Sequence, residues 1–209
     1  VTQKTAGHAA EIYNYYKEQG WKYQQYIACL DPLGEDRGKT PYALNPEQYG
    51  MFLTELFNLW YEDWKKGEQP YIRQFENYIG ILLGYQPESC EQRGSCGTQN
   101  VVEADGSVYP CDFYALDEYK LGNFNCNRLE EIDKKRKEIA FVEQSQIVAE
   151  NCKNCKFYKI CKGGCRRNKD FNAMNGEYEN YFCKSYRIFF DICLERMIQI
   201  VEIIKNQKG

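Results

Sequence analysis

The fold of this chain is decided by a cysteine-rich stretch, residues 152–165, which reads CKNCKFYKICKGGC. Its cysteines follow the spacing C-x2-C-x5-C-x3-C. Two thiols separated by two residues can converge on one metal centre, because a tight turn points both sulfurs inward. Gly163 and Gly164 precede the last cysteine and let the backbone approach a cluster closely. The stretch therefore predicts a metal-bound core.

Further cysteines extend this pattern in both directions. Cys90 and Cys96 lie upstream, nine residues separate Cys96 from Gly106, four more separate Gly106 from Cys111, and Cys183 follows downstream. These eight cysteines form two possible sets of four. Four thiolates accept either a structural zinc ion or an iron–sulfur cluster, and the spacing leaves both open. The remaining cysteines are expected to be buried small hydrophobic residues: Cys29, Cys126 and Cys193.

The composition excludes several classes of protein. The 209 residues are 43% hydrophobic and 15% aromatic, so an ordinary core is expected and disorder is not. The formal charge of −3 argues against a nucleic-acid partner, because phosphate contacts need a basic face. Eleven cysteines cannot all form internal disulfides. No apolar run reaches the roughly 20 residues of a membrane span and no signal peptide is visible, so we expect no membrane partner and a cytoplasmic location.

The first segment, residues 1–85, has the pattern of an α/β fold. A helix over 8–19 precedes a strand over 23–30, and further helices are predicted from Asn45 and over 71–84. Helix, strand and helix are a fragment of a parallel architecture, too short to close an eight-stranded barrel of about 250 residues.

Leu30 stands at the carboxyl end of the predicted strand. Strand ends of this kind carry the ligand sites of α/β proteins, although Leu30 could equally be an ordinary core residue.

The second segment, residues 86–209, combines a hairpin with helices. The Asp-Gly pair before Ser107 predicts a hairpin between 98–102 and 107–111. A charged helix is expected over 127–140, and a long amphipathic helix over 178–205.

The run CGTQNVVEADGSVYPCDFY at residues 96–114, together with residues 152–167 and Cys183, resembles the SPASM domain of radical S-adenosylmethionine enzymes. Within that superfamily, residues 111–123 (CDFYALDEYKLGN) are similar to the clostridial type of anaerobic sulfatase-maturating enzyme. Enzymes of that family oxidise a cysteine or serine of a sulfatase to Cα-formylglycine.

The resemblance implies an architecture. Residues 1–85 would be the last strand and helices of a partial (β/α)6 barrel, and residues 86–209 the SPASM domain with a short hairpin and a C-terminal helix. The chain would be the C-terminal part of a longer enzyme. The radical-generating motif C-x3-C-x2-C is absent, because Cys161 and Cys165 are followed by Asn168. Its ligands would lie upstream, and we expect the chain alone to be inactive.

The resemblance also implies cofactors and partners. Two auxiliary [4Fe–4S] clusters would be held by Cys90, Cys96, Cys111 and Cys165, and by Cys152, Cys155, Cys161 and Cys183. The return of Cys165 to the first cluster is a family feature that spacing does not reveal. S-adenosylmethionine and a third [4Fe–4S] cluster would be bound mainly by upstream residues. The expected partners are a sulfatase with a C/S-x-P-x-R motif and an electron carrier such as flavodoxin or ferredoxin.

Two residues receive roles from the resemblance. Asp112 would be the base that accepts the proton of the target thiol or hydroxyl, whereas a purely structural role would be to cap a turn after the hairpin. Leu30 would contact the adenine of S-adenosylmethionine. The alternative functions are another SPASM peptide maturase, such as one that forms thioether links, and a zinc-stabilised binding module.

Overall fold

The structure, a computed structural model, describes residues 1–207 and combines helices with small sheets. The helices are α1 (Ala9–Glu18), α2 (Pro46–Trp64), α3 (Arg73–Leu82), α4 (Cys90–Arg93), α5 (Leu129–Glu138), α6 (Phe141–Ser145), α7 (Glu150–Lys153), α8 (Tyr158–Cys161) and α9 (Cys183–Gln207). The strands are β1 (Tyr23–Gln24), β2 (Tyr71–Ile72), β3 (Val101–Val102), β4 (Ser107–Tyr109), β5 (Gly122–Asn123), β6 (Lys169–Asn172) and β7 (Glu177–Asn180). Within these described residues, no helix combines the length and apolarity that a membrane crossing requires.

The first segment contains a parallel β/α/β unit. Strands β1 and β2 pair in parallel, and α2 lies between them in the chain. This pairing confirms the α/β assignment. The strand predicted over 23–30 is shorter than expected, because the side chain of Gln74 takes the place of a neighbouring strand. Its Nε2 donates to the carbonyl of Tyr26 at 2.5 Å, and its Oε1 accepts from the Tyr26 amide at 3.4 Å.

Two predicted helices begin later than expected. Residues 71–72 are taken up by β2, so that helix starts at Arg73. Residues 177–180 form β7, which pairs antiparallel with β6, so the last helix starts at Cys183. By contrast, α2 begins where the sequence predicts, because the Asn45 side chain accepts from the Gln48 amide at 2.9 Å.

The main core joins both segments of the chain. Helices α2 and α9 pack closely, and most of their large aromatic side chains are buried. The two helices approach closely at Gly50, since a Cβ there would lie 3.0 Å from the Cα and carbonyl oxygen of Ser185. The largest buried side chains of this core are Tyr13, Phe52, Phe57, Trp60, Phe75, Phe182, Phe189 and Phe190.

The cysteine-rich part has only small apolar clusters of its own. One contains Val108, Leu121 and Ile132, and another contains Cys111, Tyr114 and Phe141. The predicted hairpin is present as β3 and β4, and β5 joins it as a third antiparallel strand.

Candidate metal centres and the adjoining cavity

The structure gathers the eight cysteines into two groups. In the first group, Cys96 lies within electrostatic range of Cys90 and Cys111, and Cys165 lies within range of Cys90 and Cys96. In the second group, Cys161 lies within range of Cys152, Cys155 and Cys183, and Cys183 is also near Cys152 and Cys155. All eleven cysteines of the chain lie in the described residues and carry free thiols.

A left-handed turn separates Cys165 from the second group. Lys162, Gly163 and Gly164 all have positive φ angles, of 56°, 83° and 72°. The carbonyl of Gly163 accepts from Asn180 Nδ2 at 2.9 Å, and a Cβ on Gly164 would lie 2.3 Å from that nitrogen. This turn reverses the chain between Cys161 and Cys165, so that consecutive cysteines face different groups.

Burial makes ionisation of these thiols unfavourable. Burial raises the pKa of Cys161 to about 12 and also raises that of Cys165. Burial likewise raises the pKa of Cys111 to about 12, and the neighbouring Asp112 carboxylate adds to the effect. A bound cation offsets that cost and stabilises the thiolates. The two groups therefore fit a cofactor that takes four thiolates and supplies positive charge.

The spacing within each group also bears on the kind of metal site. Within residues 1–207, no three histidine, cysteine, aspartate or glutamate side chains are arranged to hold one metal ion. A four-iron cluster does not require several side chains to meet at one metal ion, because its four cysteine ligands bind different irons.

A cavity of about 700 Å³ adjoins the first group. All four cysteines of that group line it, and so do Leu30 and Asp112. The remaining lining is mixed, with aromatic, amide and guanidinium groups from both segments, among them Tyr26, Tyr49, Gln74, Phe113, Arg166 and Arg167. The cavity therefore brings together every predicted site residue except the four cysteines of the second group.

Asp112 begins a short 3-10 turn, Asp112–Tyr114, directly after the hairpin. Its side chain is exposed, and its Oδ1 accepts from the Cys111 thiol at 3.2 Å. Leu30 is half-buried and packs against the main core as well as lining the cavity. Leu30 lies six residues beyond the last residue of β1, so it is not at a strand end.

The sequence did not predict a set of hydrogen bonds and an ion pair that joins the two segments. The buried carboxylate of Asp31 accepts from the amides of Gly38 and Thr40, each at 2.7 Å. The guanidinium of Arg167 donates to the Asp31 carbonyl, and the guanidinium of Arg37 binds both carboxylate oxygens of Asp170. The loop after Leu30 is thereby fixed to the turn after Cys165. The adjacent Arg166-Arg167 pair was the available signal.

The three cysteines outside the groups behave differently from one another. Cys193 is fully buried in the main core, as predicted. Cys29 is half-buried, and Cys126 is exposed, so the prediction is wrong for Cys126. Cys126 lies in a tight turn in which its amide donates to the Asn123 carbonyl and the Asn127 side chain accepts from the Asn123 amide, leaving its thiol at the surface.

Comparison with known proteins defines the class. Residues 90–156 match the SPASM family, described as an iron–sulfur cluster-binding domain. The β/α/β unit and this domain together correspond in fold to the end of a radical S-adenosylmethionine barrel followed by a SPASM domain.

Relatives and solved structures specify the family. The chain is 45% identical to the cysteine-type anaerobic sulfatase-maturating enzyme of Clostridium perfringens over 98% of its length, covering 55% of that protein. It is 28% identical to the serine-type enzyme of Bacteroides thetaiotaomicron over 100% of its length, covering 54% of that protein. The solved structure of native anSMEcpe with bound AdoMet and Cp18Cys peptide matches with a TM-score of 0.90 at 43% identity, over 98% of this chain and 56% of that one.

Over nearly its whole length the chain therefore matches one part of the anaerobic sulfatase-maturating enzymes of the cysteine type. It spans about half the length of the curated relatives it matches.

Proposed function

We propose that this chain is part of an enzyme that oxidises a cysteine or serine of a sulfatase to Cα-formylglycine. The observation that carries the proposal is the cavity in which the first cysteine group, Asp112 and Leu30 meet. The names of the relatives point to sulfatase maturation, and those named cysteine-type are 40–45% identical whereas the serine-type relative from Bacteroides is 28% identical. A cysteine-containing peptide with a C-x-P-x-R motif is therefore the preferred substrate to test.

The proposal assigns each cysteine group to one auxiliary [4Fe–4S] cluster. Cys90, Cys96, Cys111 and Cys165 would hold the first, and Cys152, Cys155, Cys161 and Cys183 the second. S-adenosylmethionine and the radical-generating cluster would be held mainly by a further segment of a protein of the relatives' length. When bound, these cofactors supply the radical that removes a Cβ hydrogen and the acceptor that takes the remaining electron.

Asp112 supplies the proton acceptor in this proposal. Loss of the Cβ hydrogen, of the side-chain proton and of one electron converts the Cβ–S or Cβ–O bond into a double bond. Removing the proton makes the electron easier to remove, so a carboxylate within hydrogen-bond reach of the side chain accelerates the step. The exposure of Asp112 in the cavity supports this role. Asp112 directly follows Cys111 in the chain, which keeps it next to the first cysteine group.

Leu30 supplies an apolar contact for the adenine of S-adenosylmethionine. Its place in the cavity lining supports this role, and the Asp31 turn that follows it holds the backbone in place. We place the whole reaction in the cytoplasm, because cysteines that form no disulfides are typical of a reducing compartment. A small electron carrier such as flavodoxin or ferredoxin would exchange electrons with the clusters.

Two measurements test the proposed function. Anaerobically purified chain should contain about eight irons and about eight sulfides in these two groups, whereas about two zinc ions would indicate a binding module stabilised by zinc.

The enzyme of full family length should then be incubated with S-adenosylmethionine and peptides containing C-x-P-x-R or S-x-P-x-R. Mass spectrometry should show that serine loses two hydrogens and that cysteine also exchanges sulfur for oxygen. A thioether cross-link without that exchange would instead support a different peptide maturase.

A further inference from the structure

Lys169 lies near members of both cysteine groups. It is the first residue of β6, and its side chain is half-buried. The Lys169 ammonium is within electrostatic range of Cys96 and Cys165 of the first group and of Cys152 of the second group. A single cation therefore acts on both candidate metal centres.

The backbone holds this ammonium in a defined place. Lys169 Nζ donates to the carbonyl of Ser145 at 3.1 Å and to the carbonyl of Ile147 at 3.3 Å. Ser145 is itself buried, and its hydroxyl accepts from the Cys96 amide at 2.8 Å. One residue thus positions both the cation and a thiol of the first group.

The charge of Lys169 is not neutralised by these contacts. Both hydrogen-bond acceptors are uncharged carbonyls, and within residues 1–207 no carboxylate forms an ion pair with its ammonium. Burial lowers the pKa of Lys169 with a further contribution from Arg166, and the thiolates of Cys152, Cys96 and Cys165 offset only part of that shift. The favourable electrostatic interactions of the Lys169 ammonium are therefore with sulfur atoms of both cysteine groups.

We propose that Lys169 raises the reduction potentials of both auxiliary clusters and so sets the driving force for the electron that leaves the substrate. This inference rests on the proposed function, because it requires clusters in both groups. Four thiolates give such a cluster a net negative charge, and reduction adds one more electron. A nearby fixed cation lowers the free energy of the reduced form, and charge near a cluster is one of the determinants of its potential. Lys169 acts through the clusters and does not touch the substrate.

The test compares Lys169→Met and Lys169→Gln with Lys169→Arg in the anaerobically purified enzyme of full family length. Lys135→Met is the matched control, because Lys135 is an exposed lysine on α5 that pairs with Glu138. Iron and sulfide are quantified first, and a reductive titration followed by electron paramagnetic resonance then gives the midpoint potentials. The third cluster, held by other residues, is the internal reference.

We expect the two neutral variants to keep their iron and sulfide. Both auxiliary potentials should shift to lower values, and the third should stay unchanged. Lys169→Arg should stay close to the wild-type potentials, and Lys135→Met should match them. Peptide oxidation should show a lower kcat with an unchanged KM in the neutral variants.

Several outcomes would overturn the inference while leaving the proposed function intact. Unchanged potentials in fully loaded Lys169→Met, or an equal shift in Lys135→Met, would show that the Lys169 charge does not set them. Loss of iron from both neutral variants would show that Lys169 is needed for assembly and not for tuning. A wild-type protein without iron and sulfide would refute the proposed function itself, and this inference with it.

Discussion

Cys165 belongs to the stretch 152–165 in sequence, yet its thiol lies near Cys90 and Cys96. The left-handed turn over Lys162–Gly164 accounts for this change of partner. The position of one thiol therefore links the two ends of the cysteine-rich part, and the assignment of Cys165 decides how the clusters are divided.

Replacing Cys165 tests that division. Cys165→Ala should remove the first auxiliary cluster and leave the second, because the structure places this thiol with the first group only. Anaerobic iron quantification and electron paramagnetic resonance should show a loss of about four irons. Cys126→Ala is the control, since Cys126 is exposed and belongs to neither group. Selective loss of the second cluster would contradict the proposed ligand sets.

A second prediction about a single residue concerns Asp112. Asp112→Asn keeps the size of the side chain and removes its capacity to accept a proton, so peptide oxidation should fall by about 10²–10⁴-fold. S-adenosylmethionine cleavage without peptide oxidation should persist, and iron content should match the wild type. Both activities are measured in the enzyme of full family length.

Asp117→Asn is the matched control for Asp112, because Asp117 is an exposed aspartate that begins the next 3-10 turn and does not line the cavity. Equal activity of the Asp112 and Asp117 variants would leave Asp112 with a structural role at its turn.

The sequence predicts the role of a residue where the spacing between residues carries information. Eight cysteines could be separated from Cys29, Cys126 and Cys193 because they recur at ligand spacing, but the exposure of Cys126 depended on asparagine contacts that have no pattern. Lys169 was invisible for a similar reason. Its function depends on carbonyls of Ser145 and Ile147, which lie more than twenty residues away in the chain.

The elements were predictable where local signals decide them. The cap at Asn45 fixed the start of α2, and the Asp-Gly turn fixed the hairpin. The predicted bounds of strands and helices were wrong where hydrogen-bond partners outside the segment determine them. Residues 25–30 have strand composition, but Tyr26 among them pairs with the Gln74 side chain. Residues 178–180, predicted as part of the last helix, pair with β6. In both cases hydrogen bonds to a partner outside the segment overrode its local preference.

The contact between α2 and α9 gives a prediction about Gly50. Alanine in a helix is favoured over glycine by about 1 kcal/mol. At Gly50, however, a Cβ would lie 3.0 Å from backbone atoms of Ser185, which cannot rotate away, and overpacking costs about 1–3 kcal/mol. Gly50→Ala should therefore lower the free energy of unfolding.

Gly80→Ala is the matched control in α3, because its Cβ would meet only Tyr85 Cβ at 4.0 Å. Gly80→Ala should raise the free energy of unfolding by about 1 kcal/mol. Denaturant titration of both variants measures the difference. A comparable increase in both would show that α2 and α9 can separate at no cost.

The buried apolar core that stabilises the molecule is distributed unequally along the chain. The main core is built from α1, α2, α3 and α9 and contains most of the fully buried aromatic side chains. The part between α4 and β7 contributes Phe157 and Ile160 to that core and otherwise has two small clusters, centred on Val108 and Phe141. Small folds with little apolar core depend on bound metal for stability. The two cysteine groups lie where that support is needed.

Removal of iron should therefore unfold one part of the molecule and spare the other. After anaerobic chelation, amides over residues 96–181 should exchange with solvent much faster, whereas α2, α3 and the central turns of α9 should keep their protection. The physical reason is that desolvated thiols with raised pKa values lose the cation that stabilises them, while the aromatic core of α2 and α9 is unaffected. Hydrogen exchange with mass spectrometry, before and after reconstitution with iron and sulfide, measures both regions at once. Uniform loss of protection would show that the clusters and the aromatic core form one cooperative unit, and unchanged protection over 96–181 would show that the cysteine-rich part folds without metal.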